Sequence, residues 1–135
     1  MSVIGADNPI TSLPGEYPRE GFFDYHGKYK AGHLDPIIPA RLTAAGIDEV
    51  RQLAINAYKA ARCTGFARVD IFVDKHENFY VNEINTMPGM SNSSMTPQVW
   101  EPTDGTTFPQ LLEKLIALAE KRYRELNALN RQGED

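Results

Sequence analysis

The sequence predicts an α/β fold of the α+β type, a mainly antiparallel sheet covered by two long helices. Three observations predict it. Two stretches, residues 47–63 and 108–126, repeat their apolar side chains at helical spacing; two β-prone runs between them are joined by a short polar turn; and the residues ahead of the first helix hold only short strand-like pieces interrupted by prolines. Strands joined by so short a turn pair antiparallel, because a parallel pair needs a long crossover. With 135 residues, 41% of them hydrophobic and 24% charged, the chain is large enough to bury a core, and no repeat or Pro/Gly/Ser-rich linker divides it. The expected folding unit is residues 1–127, with 128–135 a frayed tail.

Near the N-terminus, short β-prone pieces at Ser2 to Gly5 and Gly15 to Glu20 are broken by Pro9, Pro14 and Pro18. The segment from Gly21 to Ala40, rich in aromatics, glycines and charges but without sustained period, reads as a strand followed by a long loop, and long loops inside compact domains are often functional. The first helix is carried by Ile47, Val50, Leu53, Ala54, Ala57, Tyr58 and Ala61, runs to about Cys63 and has Gly65 as its stop. The second places Leu111, Leu112, Leu115, Ile116, Ala119 and Tyr123 on one face, and Thr107 with Gln110 has the spacing of a capping box. Its polar end, NRQGED, is expected to fray.

Composition excludes several classes of function. A net charge of −4 and a pI near 5.4 argue against a broad electrostatic grip on nucleic acid or an anionic membrane. One cysteine, Cys63, permits no internal disulfide, and its place at the end of an amphipathic helix suits a packed thiol in a reducing compartment. The opening residues have neither a basic nor an apolar leader region, and no window approaches the length of apolar chain that spans a bilayer. The expected location is the cytoplasm. His26, His33 and His76 show no metal-site spacing and read as surface histidines.

The strands FARVDIFVD, Phe66 to Asp74, and FYVNEIN, Phe79 to Asn85, hold Arg68, Asp70, Glu83 and Asn85 in segments that otherwise read as buried. Charged side chains are not kept in such places without a partner. Alternation puts Phe66, Arg68, Asp70 and Phe72 on one face and the apolar Ala67, Val69, Ile71 and Val73 on the other. A four-residue turn, KHEN, pairing Asp74 with Phe79 would set Asp70 opposite Glu83 and Arg68 opposite Asn85. Two carboxylates so placed repel unless a cation or shared proton compensates. Asp, Glu and an Asn carbonyl are hard oxygen donors of the kind Mg²⁺ or Mn²⁺ takes, completed by water and phosphate oxygens. Arg68 beside them would clamp a phosphoryl group or a developing oxyanion. The alternative is an Arg68–Asp70–Glu83 ion-pair network without any ligand. After the second strand, Pro88-Gly89 forms a turn through which backbone can approach a ligand, and Ser91, Ser93 and Ser94 follow as hydroxyl donors.

GFARVDIFVD, YVNEINTMPGMSNSSM and, upstream, FFDYHGKY resemble the C-terminal part of D-alanine–D-alanine ligases, of the ATP-grasp superfamily, over about Val3 to Leu126. The resemblance implies an ATP-grasp C-terminal subdomain. It implies Asp70, Glu83 and Asn85 as ligands of two Mg²⁺ ions that bridge ATP phosphates. Arg68 and the backbone N–H of Gly89 match the pair that holds the tetrahedral intermediate's oxygen, and Ser94 matches the hydroxyl that binds the second D-alanine's carboxylate. Lys28 matches a lysine on phosphate and carboxylate, Tyr29 a tyrosine that closes the loop over the site, and Phe22 an aromatic near adenine.

The reaction so implied joins two D-alanines through an acyl phosphate for peptidoglycan precursor synthesis. Ligases of this family are more than twice as long, with an N-terminal domain, a glycine-rich phosphate loop and most of the adenine pocket ahead of the part matched here. The chain is therefore expected to be a fragment, inactive by itself, of an enzyme that is a homodimer when intact. A non-catalytic ATP-grasp-like domain for assembly or nucleotide sensing is the alternative of a different class, and D-alanyl-D-lactate or D-alanyl-D-serine ligases are the nearest enzymatic rivals.

Overall fold

A computed structural model describes residues 1–17 and 36–131. Lys28, Tyr29 and Phe22 lie outside the described residues, as does most of the long loop.

Four strands form one antiparallel sheet: β1 (Ser2–Gly5), β2 (Ile10–Thr11), β3 (Gly65–Val73) and β4 (Phe79–Asn85), in the spatial order β2-β1-β3-β4. Strand β1 is central because both of its alternating sides are apolar: Val3 and Ile4 are buried, on opposite faces. Met1 extends the ladder, its nitrogen donating to the Val69 carbonyl at 2.9 Å and its carbonyl accepting from the Val69 N–H at 2.8 Å.

One face is covered by helix α1 (Ala44–Ala60), whose Val50, Ala54 and Tyr58 close over Val3, Ala67 and Val69. The helix starts three residues before the predicted position. Thr43 caps it, accepting from the Gly46 N–H at 3.0 Å, and is itself held by Glu77 from the β3–β4 turn, whose carboxylate accepts from the Thr43 N–H at 3.0 Å and hydroxyl at 2.6 Å. Any side chain at Gly46 would collide with that carboxylate, 2.5 Å from where a Cβ would stand. The helix also ends early, and Gly65 is not its stop. Arg62 takes the left-handed conformation (φ 53°), and the Cys63 and Arg62 N–H groups bond back to the Tyr58 and Lys59 carbonyls in a Schellman arrangement. Gly65 instead opens β3, and Cys63, past the helix, packs partly buried against this first core.

The other face carries a second core. Two short helices that periodicity did not signal, α2 (Met95–Gln98) and α3 (Trp100–Asp104), with the long α4 (Phe108–Arg131), gather Met95, Val99, Trp100 and Leu111 over Ile4 and Phe66. Trp100 is fully buried, and its indole N–H donates to the Ser2 hydroxyl at 3.0 Å. At the start of α4 the Gln110 side chain accepts from the Thr107 N–H at 2.9 Å and from its hydroxyl at 3.0 Å, so one half of the expected capping box forms. Helix α4 runs to Arg131, past the expected end near Leu126 and into the tail expected to fray from residue 128; of the added residues Ala128, Leu129 and Arg131 are good helix formers. Its apolar residues do not share one face as predicted. Leu111, Leu115 and Leu118 pack on the second core, while Leu112, Ile116 and Tyr123 are exposed.

The two covers differ in extent. Along β3 the second core reaches Phe66 and stops, so the same face is half-buried at Arg68 and Asp70 and open at Phe72, which is 59% exposed. A polar patch sits at that border.

Candidate active site

The border patch is built by strand register. Arg68 pairs with Asn85 and Asp70 with Glu83, as the sequence predicted. The route to that register differs. The turn is five residues, Asp74–Asn78, not four, and it is closed by the Asp74 carboxylate, which accepts from the His76 and Asn78 N–H groups at 2.8 and 2.9 Å. Val73, not Asp74, therefore faces Phe79, and a bulge between Asp70 and Ile71 on the β3 side absorbs Asn82 on β4. Without the bulge, Glu83 would fall opposite Val69, on the α1 face. Turn and bulge offset each other, and all four polar residues share the open side.

Arg68 grips Asp70 in a fork, Nε to Oδ1 at 2.7 Å and Nη2 to Oδ2 at 2.8 Å, and reaches Glu83 Oε1 only at 3.5 Å. Burial pushes the Asp70 carboxyl up, but the two hydrogen bonds and the charge of Arg68 outweigh it and hold the group below the usual carboxylate range. The ion-pair network weighed as the ligand-free alternative is thus present in its Arg68–Asp70 half, with Glu83 loosely attached and 55% exposed. Among the described side chains, the one guanidinium of Arg68 faces the two carboxylates of Asp70 and Glu83 at a solvent-facing position.

That donor set fits a divalent metal. Asp70, Glu83 and the Asn85 carbonyl are hard oxygens with spare lone pairs even where Arg68, or the Met87 N–H on Asn85 Oδ1 at 3.0 Å, occupies one of them. Among the described residues no group of three or more His, Cys, Asp and Glu side chains converges, so remaining coordination positions would fall to water and substrate oxygens.

Past Asn85 the chain bends at Thr86 and Met87, not at the Pro88-Gly89 dipeptide where the sequence placed the turn, and brings Gly89 near Ser94: a Cβ at Gly89 would stand 2.9 Å from Ser94 Oγ. Only glycine leaves that approach open. Ser94 Oγ accepts from the Ser91 N–H at 3.2 Å and lies 2.8 Å from Ser91 Oγ, which in turn lies 3.1 Å from Ser93 Oγ. Two residues missed as site members stand beside Asp70. Phe72 and its cross-strand partner Tyr80, 59% and 56% exposed, extend the same face as an aromatic surface. The alternation that placed Phe72 with Asp70 was the available signal.

Comparison with known proteins decides the family. Residues 1–117 match the family described as D-ala D-ala ligase C-terminus. The chain belongs to the D-Ala-D-Ala ligase family. It is 43% identical over 126 residues to the D-alanine–D-alanine ligase of Geobacillus kaustophilus, covering 93% of this chain and 34% of that one, and 49% identical over 119 residues to that of Halothermothrix orenii, covering 87% and 34%. Among solved structures it resembles the D-alanine–D-alanine ligase of Coxiella burnetii (TM-score 0.77, 37% identity, 98% of this chain, 33% of that one) and the VanG D-Ala:D-Ser ligase of Enterococcus faecalis (TM-score 0.74, 36% identity, 87% and 34%). The mixed sheet-and-helix architecture is the ATP-grasp fold of D-Ala-D-Ala ligases. The chain spans about a third of the length of the relatives it matches. No helix among the described residues is long and apolar enough to cross a membrane.

Proposed function

We propose that this chain is the metal- and ATP-phosphate-binding third of a D-alanine–D-alanine ligase. The observation that carries the reading is the β3–β4 register, which sets Asp70 against Glu83 and Arg68 against Asn85 at the uncovered end of the sheet, with Gly89 and Ser94 in contact just beyond.

Asp70, Glu83 and Asn85 would hold two Mg²⁺ ions, or Mn²⁺, together with the ATP phosphates. Bound there, the metal supplies charge neutralisation to the transferring phosphoryl group. One D-alanine carboxylate attacks the γ-phosphate to give an acyl phosphate and ADP, and the amine of the second D-alanine then attacks the acyl carbon and expels phosphate. Arg68, held by Asp70 with its planar head in fixed orientation, and the Gly89 N–H receive the oxygen on which negative charge develops. Ser94 binds the carboxylate of the second D-alanine. The exposed Phe72–Tyr80 surface offers an apolar rest for the nucleotide base beside the phosphates. Lys28, Tyr29 and Phe22 keep the phosphate, closure and adenine roles that the resemblance implies.

The partners are ATP, D-alanine and the remaining domains of the longer enzyme, which is a homodimer in the cytoplasm, where ATP is supplied. The exposed side of α4 at Leu112, Ile116 and Tyr123 suits contact with those domains. Similarity to the D-Ala:D-Ser ligase supports a second reading in which D-serine is the second substrate. Phosphate release by the full-length ligase carrying this chain tests both: release from ATP that requires D-alanine supports the main reading, preference for D-serine over D-alanine as second substrate supports the other, and D-amino-acid-independent release overturns both.

A further inference from the structure

Resting on the reading of Ser94 as the carboxylate-binding hydroxyl, we infer that Ser91 is a positioning residue that sets the direction of the Ser94 proton. A hydroxyl has one proton to give and two lone pairs to fill. The Ser91 N–H, at 3.2 Å, donates to Ser94 Oγ. The Ser91 hydroxyl, at 2.8 Å, occupies the second lone pair when it donates, and the Ser93 hydroxyl at 3.1 Å is placed to donate to Ser91 in turn. With both acceptor positions filled by one residue, the Ser94 proton points away from the cluster. Gly89 leaves that approach uncrowded.

The direction of the chain matters, since the reverse order would spend the Ser94 proton on Ser91 and present lone pairs to an anion. An arriving carboxylate selects the donating order, Ser93 to Ser91 to Ser94, and each link polarises the next. The Ser94 N–H bonds to the Ser91 carbonyl at 2.9 Å, so the backbone fixes the spacing of the two residues independently of their hydroxyls. Ser91 is exposed and outside both cores, so its replacement removes the hydroxyl without opening a cavity.

The test is steady-state kinetics on the full-length ligase carrying this chain, with Ser91→Ala, Ser91→Thr, Ser94→Ala and the double variant Ser91→Ala/Ser94→Ala. Losing one orienting hydrogen bond should raise the Michaelis constant for the second D-alanine about fivefold to tenfold in Ser91→Ala, with turnover nearly unchanged. Ser91→Thr, which keeps both donors, should restore it to within about twofold, and Ser91→Ala should add nothing once Ser94 is alanine. An unchanged Michaelis constant in Ser91→Ala, while Ser94→Ala raises it, overturns the positioning role and leaves the ligase reading intact. An equal effect of Ser91→Ala in both backgrounds also overturns it. If Ser94→Ala itself leaves the constant unchanged, the carboxylate assignment fails and this role falls with it. Melting curves of the same variants detect a folding defect, and a melt lowered in Ser91→Ala without rescue by Ser91→Thr assigns Ser91 to the fold instead.

Discussion

The two faces of β3 are made from alternate residues of one strand and have opposite fates. Ala67 and Val69 are fully buried under α1, whereas Arg68 and Asp70, their immediate neighbours, lie where the cover of the opposite face runs out. The α1 face stays covered through the partly buried Ile71 and opens only at Val73, 43% exposed at the strand end, so its residues at Ala67 and Val69 serve to stabilise the fold. A face covered for half its length can place charged groups on a rigid strand, supported at one end by packing and open at the other to a ligand. Changes on the covered parts should therefore cost stability, and changes at the open end chemistry.

The largest effect is expected where the second core ends. Trp100→Ala empties the biggest fully buried side chain and leaves the Ser2 hydroxyl without its donor, which should cost about 3–5 kcal/mol. Urea melts of the chain measure it, and a loss under about 1 kcal/mol would mean that this cover does not hold the sheet. Next in size is the open end. Asp70→Ala or Glu83→Ala in the full-length ligase should lower turnover at least about a hundredfold, because charge stabilisation is lost at the phosphoryl group. Glu83→Ala should do so with its melt nearly unchanged; near-normal turnover in both variants would sink the metal assignment.

Arg68 joins the two regimes. It is half-buried and holds Asp70 in a fork, so Arg68→Ala should lower turnover and also cost about 1–2 kcal/mol, less than a fully buried pair because Asp70 keeps part of its exposure. Acid titration separates the contributions. The Asp70 carboxyl is held below its ordinary value, so its contribution to stability is complete above the unfolded pKa of about 4 and is lost as pH falls through the lower folded value. Without Arg68 that decline should begin at higher pH. Superimposable acid melts of the two proteins would show that Arg68 does not set the Asp70 charge.

The contrast between faces was legible because it rests on period two, which the sequence displays directly. The site pairs were legible for the same reason. The path to them was not: nothing at Asn82 signals a bulge, and the Asp74 carboxylate that closes a five-residue turn acts through backbone groups no pattern reveals. Errors in turn length and ladder continuity offset one another, so the register at Asp70 came out right. Helices α2 and α3 carry too few residues for periodicity, contain Pro97 and Pro102, and exist because Val99 and Trp100 are buried. The Glu77 cap on Thr43 bridges 34 positions of sequence, beyond any local signal. For α4, periodicity identified the helix but could not say which apolar side chains would find a partner.

The smallest expected effect is the most discriminating. Glu83 meets Arg68 only at 3.5 Å, is 55% exposed, and stands directly opposite Asp70, whose two oxygens already take the short bonds of the guanidinium. Cross-strand carboxylates about 5 Å apart at Cβ repel, and an exposed ion pair at that distance returns little. Glu83→Gln keeps the shape and removes the charge, so without metal the chain should melt at the same temperature or slightly higher, within about 0.5 kcal/mol. Added Mg²⁺ sharpens the result. A carboxylate retained for a cation should let Mg²⁺ raise the melting point of the unaltered chain more than that of Glu83→Gln, since a ligand stabilises in proportion to its affinity for the folded state. If the substitution instead lowers stability by more than about 1 kcal/mol in metal-free buffer, Glu83 belongs with Arg68 and Asp70 as a structural triad. The open end of the sheet would then be another kind of cover, made of charges, and the difference between the two faces would be one of chemistry alone.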